Sequence, residues 1–323
     1  MSSAQAFPAA ASPAKRFRTS TLLPRFAWGL LAYNVAVILW GAVVRATSSG
    51  AGCGDHWPLC NGVVLQSNPR LATLIELAHR VSSGLTLPAV LLLLLWTFRA
   101  TVSGHLARIA TIAAVVFTFN EALLGALLVL LRLTADNRSP ARAVYLSLHL
   151  ANTLLLLGAL TLAAHFLSRR EAFTRGTIRF TQLPLAVTGM TATVVLGVTG
   201  TLAALSDTLF PATSLSAAFA QDFSASGGWL LRLRILHPLT AVIAGLFICW
   251  LLVRSIKRPS EHNLALMVLS LLVLQFGLGV ADVTLLAPVW LQIVHLLGAD
   301  LLWIALVVLA ARVCVLGKAR VTS

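Results

Sequence analysis

Charged residues are scarce in this 323-residue sequence: they make up 11% of it, against 58% hydrophobic residues and a mean hydropathy of +0.89. A soluble globular protein has no core that could take up so much apolar surface, so a water-soluble fold is excluded. Eight apolar runs are long enough to cross about 30 Å of hydrocarbon as helices. We place these spans at residues 26–46, 72–98, 107–130, 142–167, 181–205, 233–254, 263–286 and 289–312.

Acidic residues are also few, ten against 24 lysines and arginines, which gives a formal net charge of +14. In a soluble protein this excess would indicate a nucleic-acid partner, but the positive-inside rule accounts for it here. With a cytoplasmic N-terminus, sixteen of the 24 basic residues fall on the inner side. We expect a multi-pass protein of the bacterial inner membrane, with both termini in the cytoplasm and no nucleic-acid partner.

Acids are absent from residues 1–25, which are basic and rich in Ala, Ser and Pro. This composition resembles a transit peptide, and it fits a short cytoplasmic tail at least as well. We expect no signal peptide, because the first apolar run begins late and is as long as a full span.

The last four spans weakly repeat the first four. Glu121-Ala-Leu-Leu-Gly125 in the third span corresponds to Gln275-Phe-Gly-Leu-Gly279 in the seventh, at an offset of 154 residues. Because an even number of spans separates the halves, the repeat is parallel. We predict an all-α integral membrane fold of two four-helix bundles, related by a pseudo-twofold axis along the membrane normal. The predicted segments are a tail (1–25), a first bundle (26–167), a cytoplasmic linker (168–180), a second bundle (181–312) and a tail (313–323).

Each even-numbered span carries one histidine near its outer end, and histidines inside a membrane are costly and usually functional. These four residues are His79, His149, His237 and His295. At about 1.5 Å per residue, all four lie in the outer leaflet. One pair per half suits a planar cofactor between facing helices, as haem is held by axial ligands. Hydrogen bonding within the bundle and a zinc or copper centre are the alternatives. The other four histidines, expected at the surface, are His56, His105, His165 and His262.

Glu76 and His79 are three residues apart and share one helix face. A carboxylate beside a haem edge could accept a proton or stabilise positive charge on a substrate. Pairing with Arg80 at the interface is the alternative. The counterpart of Glu76, three residues before His237, is Arg234. A carboxylate in only one half suggests that one site reacts while the other assists.

Three arginines lie near the outer boundary of the spans: Arg45, Arg80 and Arg234. Their guanidinium groups could pair with haem propionates. Reaching out to lipid phosphate is an equally good explanation for each one taken alone.

Cysteines number only four. Cys53 and Cys60 lie in the first outer loop, on the oxidising face, where they can close a small disulfide. A redox-labile pair that relays reducing equivalents is the alternative. Cys249 and Cys314 are isolated in the sequence and are expected to be packing residues.

Taken together, these features resemble the haem A synthase family over essentially the whole chain. The diagnostic pieces are Glu76-x-x-His79-Arg80, the loop with Cys53, Trp57-Pro-Leu-Cys60 and Gly62, and Gln275-x-x-Leu-Gly in the seventh span. In that family, the C8 methyl of haem o is oxidised to a formyl group, which gives haem a for cytochrome oxidase assembly.

The resemblance also implies roles for individual residues and partners. Glu76 would be the catalytic carboxylate, His79 and His149 would flank the substrate haem, and His237 and His295 would ligate a haem b cofactor. It implies a Cys53–Cys60 disulfide. Expected partners are membrane lipid, an electron donor and a farnesyltransferase that makes haem o; a homo-oligomer stays open.

The sequence departs from the family at two points. Residues 206–232 contain no cysteine, so a thiol relay through that loop is absent, and Glu121 replaces the family's usual Gln in the third span. We expect Glu121 to be protonated and hydrogen-bonded to a neighbour, because an unpaired carboxylate there would be expensive. The competing functions are an electron-transfer cytochrome with two bis-histidine haems and a haem transporter.

Overall fold

The computed structural model describes residues 21–64, 67–169, 178–224 and 228–315. The outer parts of both predicted tails and residues 170–177 of the predicted linker lie outside these ranges. In the part of the chain that the structure describes, helices predominate and no β-strand longer than an isolated bridge occurs. The helices are α1 (Leu22–Ala46), α2 (Leu71–Ala100), α3 (Leu106–Leu130), α4 (Pro140–Ser168), α5 (Leu183–Leu209), α6 (Leu215–Phe223), α7 (Trp229–Arg234), α8 (Leu236–Ile256), α9 (His262–Thr284) and α10 (Val289–Cys314).

Eight helical segments are long and apolar enough to cross a membrane, with α7 and α8 together forming one of them, Trp229–Ile256. This confirms the predicted all-α integral membrane fold. The break in the sixth span at Ile235 lies beside Pro238, which has no N–H to bond the carbonyl of Arg234 and so removes one helical hydrogen bond there. The short α6 was not predicted; its N-cap, Ser214, accepts a hydrogen bond from the Ala217 N–H.

The spans pack as two rings of four with the same internal order. In the first ring α1 contacts α2, α2 contacts α3, α3 contacts α4 and α4 contacts α1; in the second, α5, α8, α9 and α10 follow the same cycle. The two rings meet along α1, α4, α5 and α10. Consecutive antiparallel helices joined by short loops close such rings naturally.

The core lies around α4, whose side chains are the most enclosed of any span. Trp303 of α10 inserts there, is 2% exposed, and donates from Nε1 to the Leu154 carbonyl at 2.8 Å. Most other spans expose large Leu, Val, Ile and Phe side chains on their outer faces. Because apolar residues face outward as well as inward, these helices suit a lipid solvent.

The loop after α1 closes over one end of the molecule, which we term the loop end. It contains a 3-10 turn at Ser49–Ala51 and lies directly on the start of α2. A Cβ at Gly52 would lie 2.5 Å from the carbonyl carbon and oxygen of Ala72, so only glycine allows this approach. Thr73 Oγ1 then donates to the Gly52 carbonyl at 2.8 Å.

Candidate functional site

All four predicted ligand histidines lie towards the loop end, and each faces a glycine on the preceding span. In the first half, a Cβ at Gly41 of α1 would lie 2.9 Å from Cε1 of His79. A Cβ at Gly125 of α3 would lie 3.9 Å from Nε2 of His149. The missing side chains leave room for the imidazole rings between neighbouring helices.

The second half repeats the arrangement. A Cβ at Gly200 of α5 would lie 3.0 Å from Cε1 of His237, and one at Gly279 of α9 would lie 3.5 Å from Cε1 of His295. The glycines were not identified in the sequence as partners of the histidines, although Gly125 and Gly279 formed part of the repeat signal. The number of residues between glycine and histidine differs in each of the four pairs. Only the packing of the helices shows that a glycine faces each histidine.

The rings of His237 and His295 have centroids 6.3 Å apart and planes inclined at 85°. Metal–imidazole bonds of about 2.0–2.1 Å put two trans nitrogens about 4 Å apart and the ring centroids about 6 Å apart. Two perpendicular ring planes can cross along the line that would join the two nitrogens through the metal. The separation therefore fits two axial ligands on opposite faces of one porphyrin iron.

The second nitrogens of these two rings differ in their surroundings. His237 Nδ1 lies 3.4 Å from Thr199 Oγ1. His295 Nδ1 is buried and meets no hydrogen-bond partner among the described residues.

In the first half, the two histidines differ in what lies beside Nδ1. His79 Nδ1 is buried without a partner in the described ranges. His149 Nδ1 lies 2.8 Å from Glu121 Oε1, without the geometry of a hydrogen bond. A carboxyl group therefore lies beside His149 and not beside His79 Nδ1.

Glu121 is hydrogen-bonded, as expected. Its Oε2 accepts from Asn152 Nδ2 at 2.5 Å, and its Oε1 lies 2.5 Å from Thr153 Oγ1 and 2.8 Å from His149 Nδ1. These contacts fix the carboxyl group of Glu121 between α3 and α4, and its expected protonated state stays a prediction.

Glu76 is 3% exposed and both of its oxygens are engaged. Oε2 accepts from the Cys53 N–H at 2.8 Å, and Oε1 accepts from Arg80 Nε at 3.1 Å and Nη2 at 2.5 Å. The pairing with Arg80 therefore exists, alongside a contact that sequence spacing did not suggest. The carboxylate is held in one orientation, one helical turn from His79.

Cys53 and Cys60 form a disulfide, which confirms that expectation. The loop that it closes also binds Arg80, whose Nη1 donates to the carbonyls of His56 at 2.6 Å and Leu59 at 2.8 Å. Loop, arginine and carboxylate therefore form one connected unit beside His79.

Arg45 lies between the two rings of helices. Its Nη1 donates to the Ala204 carbonyl at 2.7 Å and to Thr208 Oγ1 at 3.0 Å, while Nη2 donates to Gln292 Oε1 at 2.8 Å. It thereby ties α1 to α5 and α10. A haem propionate at Arg45 would have to share this guanidinium with contacts that hold the halves together.

Arg234 pairs with two acids at the loop end, Asp207 at 2.8 Å and Asp222 at 2.6 Å. Sequence reasoning missed both partners, because they lie 27 and 12 residues away on other helices. Like Arg45 and Arg80, Arg234 has protein partners, so binding of propionates by these three residues stays a prediction.

Sequence reasoning also missed Asp300, an acidic residue buried inside a membrane span. It lies five residues after His295 on α10, is 2% exposed, and its Oδ2 has no hydrogen-bond partner within the described residues. The rule that singled out the histidines, that ionisable residues inside a span are usually functional, also applies to Asp300.

Two histidines expected at the surface are buried instead. His105 is the N-cap of α3: its Nδ1 accepts from the Ala107 N–H at 3.2 Å, and burial lowers the pKa of its imidazole. His165 is 6% exposed near the other end of α4. His105 caps a helix and His165 packs inside the bundle, so neither histidine adds a ligand to the site.

The donors present suit a planar cofactor better than a compact metal cluster. Among the described residues, no three His, Cys, Asp or Glu side chains converge on one point that could hold a metal ion. A zinc or copper centre would need such a set. Two histidines in each half would instead supply the two imidazoles that hold a haem iron.

Comparison with known proteins identifies relatives along nearly the whole chain. The family model described as cytochrome oxidase assembly protein, COX15-CtaA, matches residues 24–307. A protein of Thermus thermophilus named protoheme IX farnesyltransferase is 43% identical over 302 residues, which are 93% of this chain and 50% of that protein. The chain therefore spans about half the length of this relative. A heme A synthase of Halalkalibacterium halodurans is 42% identical over 92 residues, 28% of this chain and 31% of that protein.

Proposed function

The chain belongs to the COX15-CtaA family of cytochrome oxidase assembly proteins, and we propose that it is a haem A synthase, which oxidises the C8 methyl of haem o to a formyl group. The observation that carries this proposal is the imidazole pair of the second half, with 6.3 Å between the ring centroids of His237 and His295. Relatives named heme A synthase from several bacteria support the same activity.

We assign the second bundle, residues 181–312, to a haem b cofactor ligated by His237 and His295. The first bundle, residues 26–167, takes the substrate haem o between His79 and His149. The glycines opposite the rings support this assignment, because they leave room for the imidazoles between neighbouring helices. Haem b would supply one-electron transfer to and from the substrate site.

Glu76 is the carboxylate in this proposal. Its contacts with the Cys53 N–H and Arg80 hold it one turn from His79, beside the position of a substrate ring. There it would stabilise positive charge that develops on the methyl-bearing ring or accept a proton from it. Burial away from water strengthens both effects.

We propose that the protein lies in the bacterial inner membrane with its loop end outward and both termini in the cytoplasm. The excess of basic residues on the opposite side supports this orientation. So does the Cys53–Cys60 disulfide, since such bonds persist in oxidising compartments.

The name of the Thermus relatives raises prenyl transfer as a second candidate function. Transfer from a prenyl diphosphate uses Mg²⁺ held by carboxylates. No two acidic residues of this chain lie closer than 15 positions in sequence, and Asp207 and Asp222, which come together in space, both pair with Arg234. We therefore propose that a farnesyltransferase is a partner that supplies haem o, and that an electron donor acts with both.

The test is to express the protein with a haem o supply, purify it and extract its pigments. Glu76→Gln should retain both haems, because neither ligand changes, but should stop accumulation of haem a. Asp136→Asn, an exposed acid in the loop between α3 and α4, is the matched control and should convert normally. Conversion by Glu76→Gln would refute the role of Glu76 alone, whereas a wild type that binds haem but accumulates no haem a would favour a cytochrome or transporter. Absence of haem from the wild type would refute the whole assignment.

A further inference from the structure

The carboxylate of Glu121 is held rigidly between α3 and α4, the most extensively packed pair of helices in the described structure. Asn152 Nδ2 donates both to Glu121 Oε2 and to the Phe117 carbonyl, at 2.5 and 2.9 Å. Thr153 Oγ1 contacts Glu121 Oε1 at 2.5 Å and the His149 carbonyl at 2.9 Å. The carboxylate is therefore fixed relative to the backbone that carries His149.

The contact between Glu121 and His149 leaves one edge of the ring available. Nδ1 is buried and lies 2.8 Å from Glu121 Oε1, whereas a quarter of the His149 side chain remains exposed. The exposed part therefore lies elsewhere on the side chain, away from Nδ1. If Nε2 binds iron, the Nδ1–H is the remaining polar group of the ring, and Glu121 is the acceptor within reach.

The second half lacks every component of this arrangement. At the repeat offsets of 154 and 146 residues, Glu121 corresponds to Gln275, and Asn152 and Thr153 correspond to Gly298 and Ala299. Gln275 Oε1 faces Gly298 and is buried without a hydrogen-bond partner in the described ranges.

The same contrast holds for the histidines themselves. Neither His79 Nδ1 nor His295 Nδ1 meets a partner among the described residues, and His237 Nδ1 lies 3.4 Å from the Thr199 hydroxyl. Within the part of the chain that the structure describes, His149 is thus the only one of the four ligand candidates in contact with a carboxylate.

We infer that Glu121 is a positioning residue for His149, which fixes the ring with Nε2 towards the substrate haem and makes it the strongest electron donor of the four axial ligands. An imidazole whose other N–H is bound by a carboxylate is a more basic ligand and stabilises ferric over ferrous iron. The first-half haem therefore has a lower reduction potential than it would have with an unpartnered histidine. This inference rests on the proposed function, since it requires iron at His149.

The test is a redox titration of the purified holoprotein, with haem o added to load the first half, followed by visible absorption. Glu121→Gln should shift the ferric–ferrous equilibrium of the first-half haem by about 10–100-fold, as outer contacts of metal ligands typically do. At about 59 mV per tenfold for one electron, this raises the potential by about 60–120 mV. The second-half haem should not change.

Gln275→Leu, at the equivalent position of the second half, is the matched control and should leave both potentials unchanged. An unaltered second-half spectrum in Glu121→Gln shows that the fold is intact. If Glu121→Gln loses the first-half haem, Glu121→Asp, which keeps a carboxylate, should restore both the haem and its potential; failure to restore them overturns the inference.

Two outcomes separate this inference from the function on which it rests. If both haems bind and the first-half potential is the same in Glu121→Gln as in the wild type, the role of Glu121 is refuted while the haem assignment stands. If the wild type binds no haem in the first half, both are refuted together.

Discussion

The packing of Gly41 against His79 makes the substitution Gly41→Ala informative. The new Cβ would lie 2.9 Å from Cε1 and 3.2 Å from Nε2 of the ring, closer than carbon atoms pack, so the ring has to move. Overpacking in a core costs about 1–3 kcal/mol. Because the tip of a side chain moves more easily than a backbone, we place the cost at the lower end, about 1 kcal/mol.

Gly84→Ala is the matched control, since Gly84 lies on the same helix as His79 and a Cβ there meets nothing within 4 Å. Alanine favours a helix over glycine by about 0.8–1.0 kcal/mol, so this variant should be more stable than the wild type. In Gly41→Ala the same gain in helix propensity is offset by overpacking against His79, so the stability of this variant should stay near that of the wild type.

The two variants should differ most in ligation. Displacement of the His79 ring by the new methyl should weaken the bis-histidine absorption spectrum of the first-half haem, whereas Gly84→Ala should leave it unchanged. Thermal unfolding in detergent and visible spectra of both proteins are the measurements. If Gly41→Ala gains as much stability as Gly84→Ala and keeps the wild-type spectrum, the proposed close approach of glycine and imidazole is wrong.

Three further outcomes follow from contacts at the loop end and in the core. Replacing Cys53 and Cys60 by serine opens the loop between two residues that are seven positions apart in sequence. This should cost about 2–3 kcal/mol of local stability and speed amide hydrogen exchange in the loop. Unchanged exchange would contradict this. The hydrogen bond from Arg132 lowers the pKa of exposed Asp55, so this contact stabilises the loop at neutral pH and is lost as the pH falls through that lowered pKa. Protease cleavage of the loop should therefore be faster in Arg132→Gln than in the wild type at neutral pH, with the difference vanishing in acid. Trp303→Phe removes the hydrogen bond to a carbonyl of α4 and should cost about 1 kcal/mol in thermal unfolding; an unchanged midpoint would show that this bond is not stabilising.

The spans and the histidine pairs were predictable because they depend on local properties of the chain. Membrane helices need only sufficient length and hydropathy, and all eight were identified within a few residues of their observed bounds. A polar residue within such a run stands out against its surroundings, which is how the four histidines and Glu121 were recognised.

The same reasoning failed where partners come from distant parts of the chain. The interaction of Glu76 with the Cys53 N–H, and that of Arg234 with Asp207, join residues 23 and 27 positions apart. Arg45 bonds to residues up to 247 positions away, which no periodicity could indicate. Hydropathy likewise gave no sign that His105 and His165 are buried, because a helix end can lie either at the surface or against a neighbour.

By itself, the sequence determined that this chain is a bundle of eight membrane helices with four histidines at one depth, because hydropathy and helical rise act residue by residue. Only the tertiary structure decided which glycine faces which ring, that Glu121 contacts His149 whereas Gln275 Oε1 has no hydrogen-bond partner among the described residues, and that Glu76 is held by the disulfide loop. These are contacts between helices, and their geometry depends on how whole helices pack against each other.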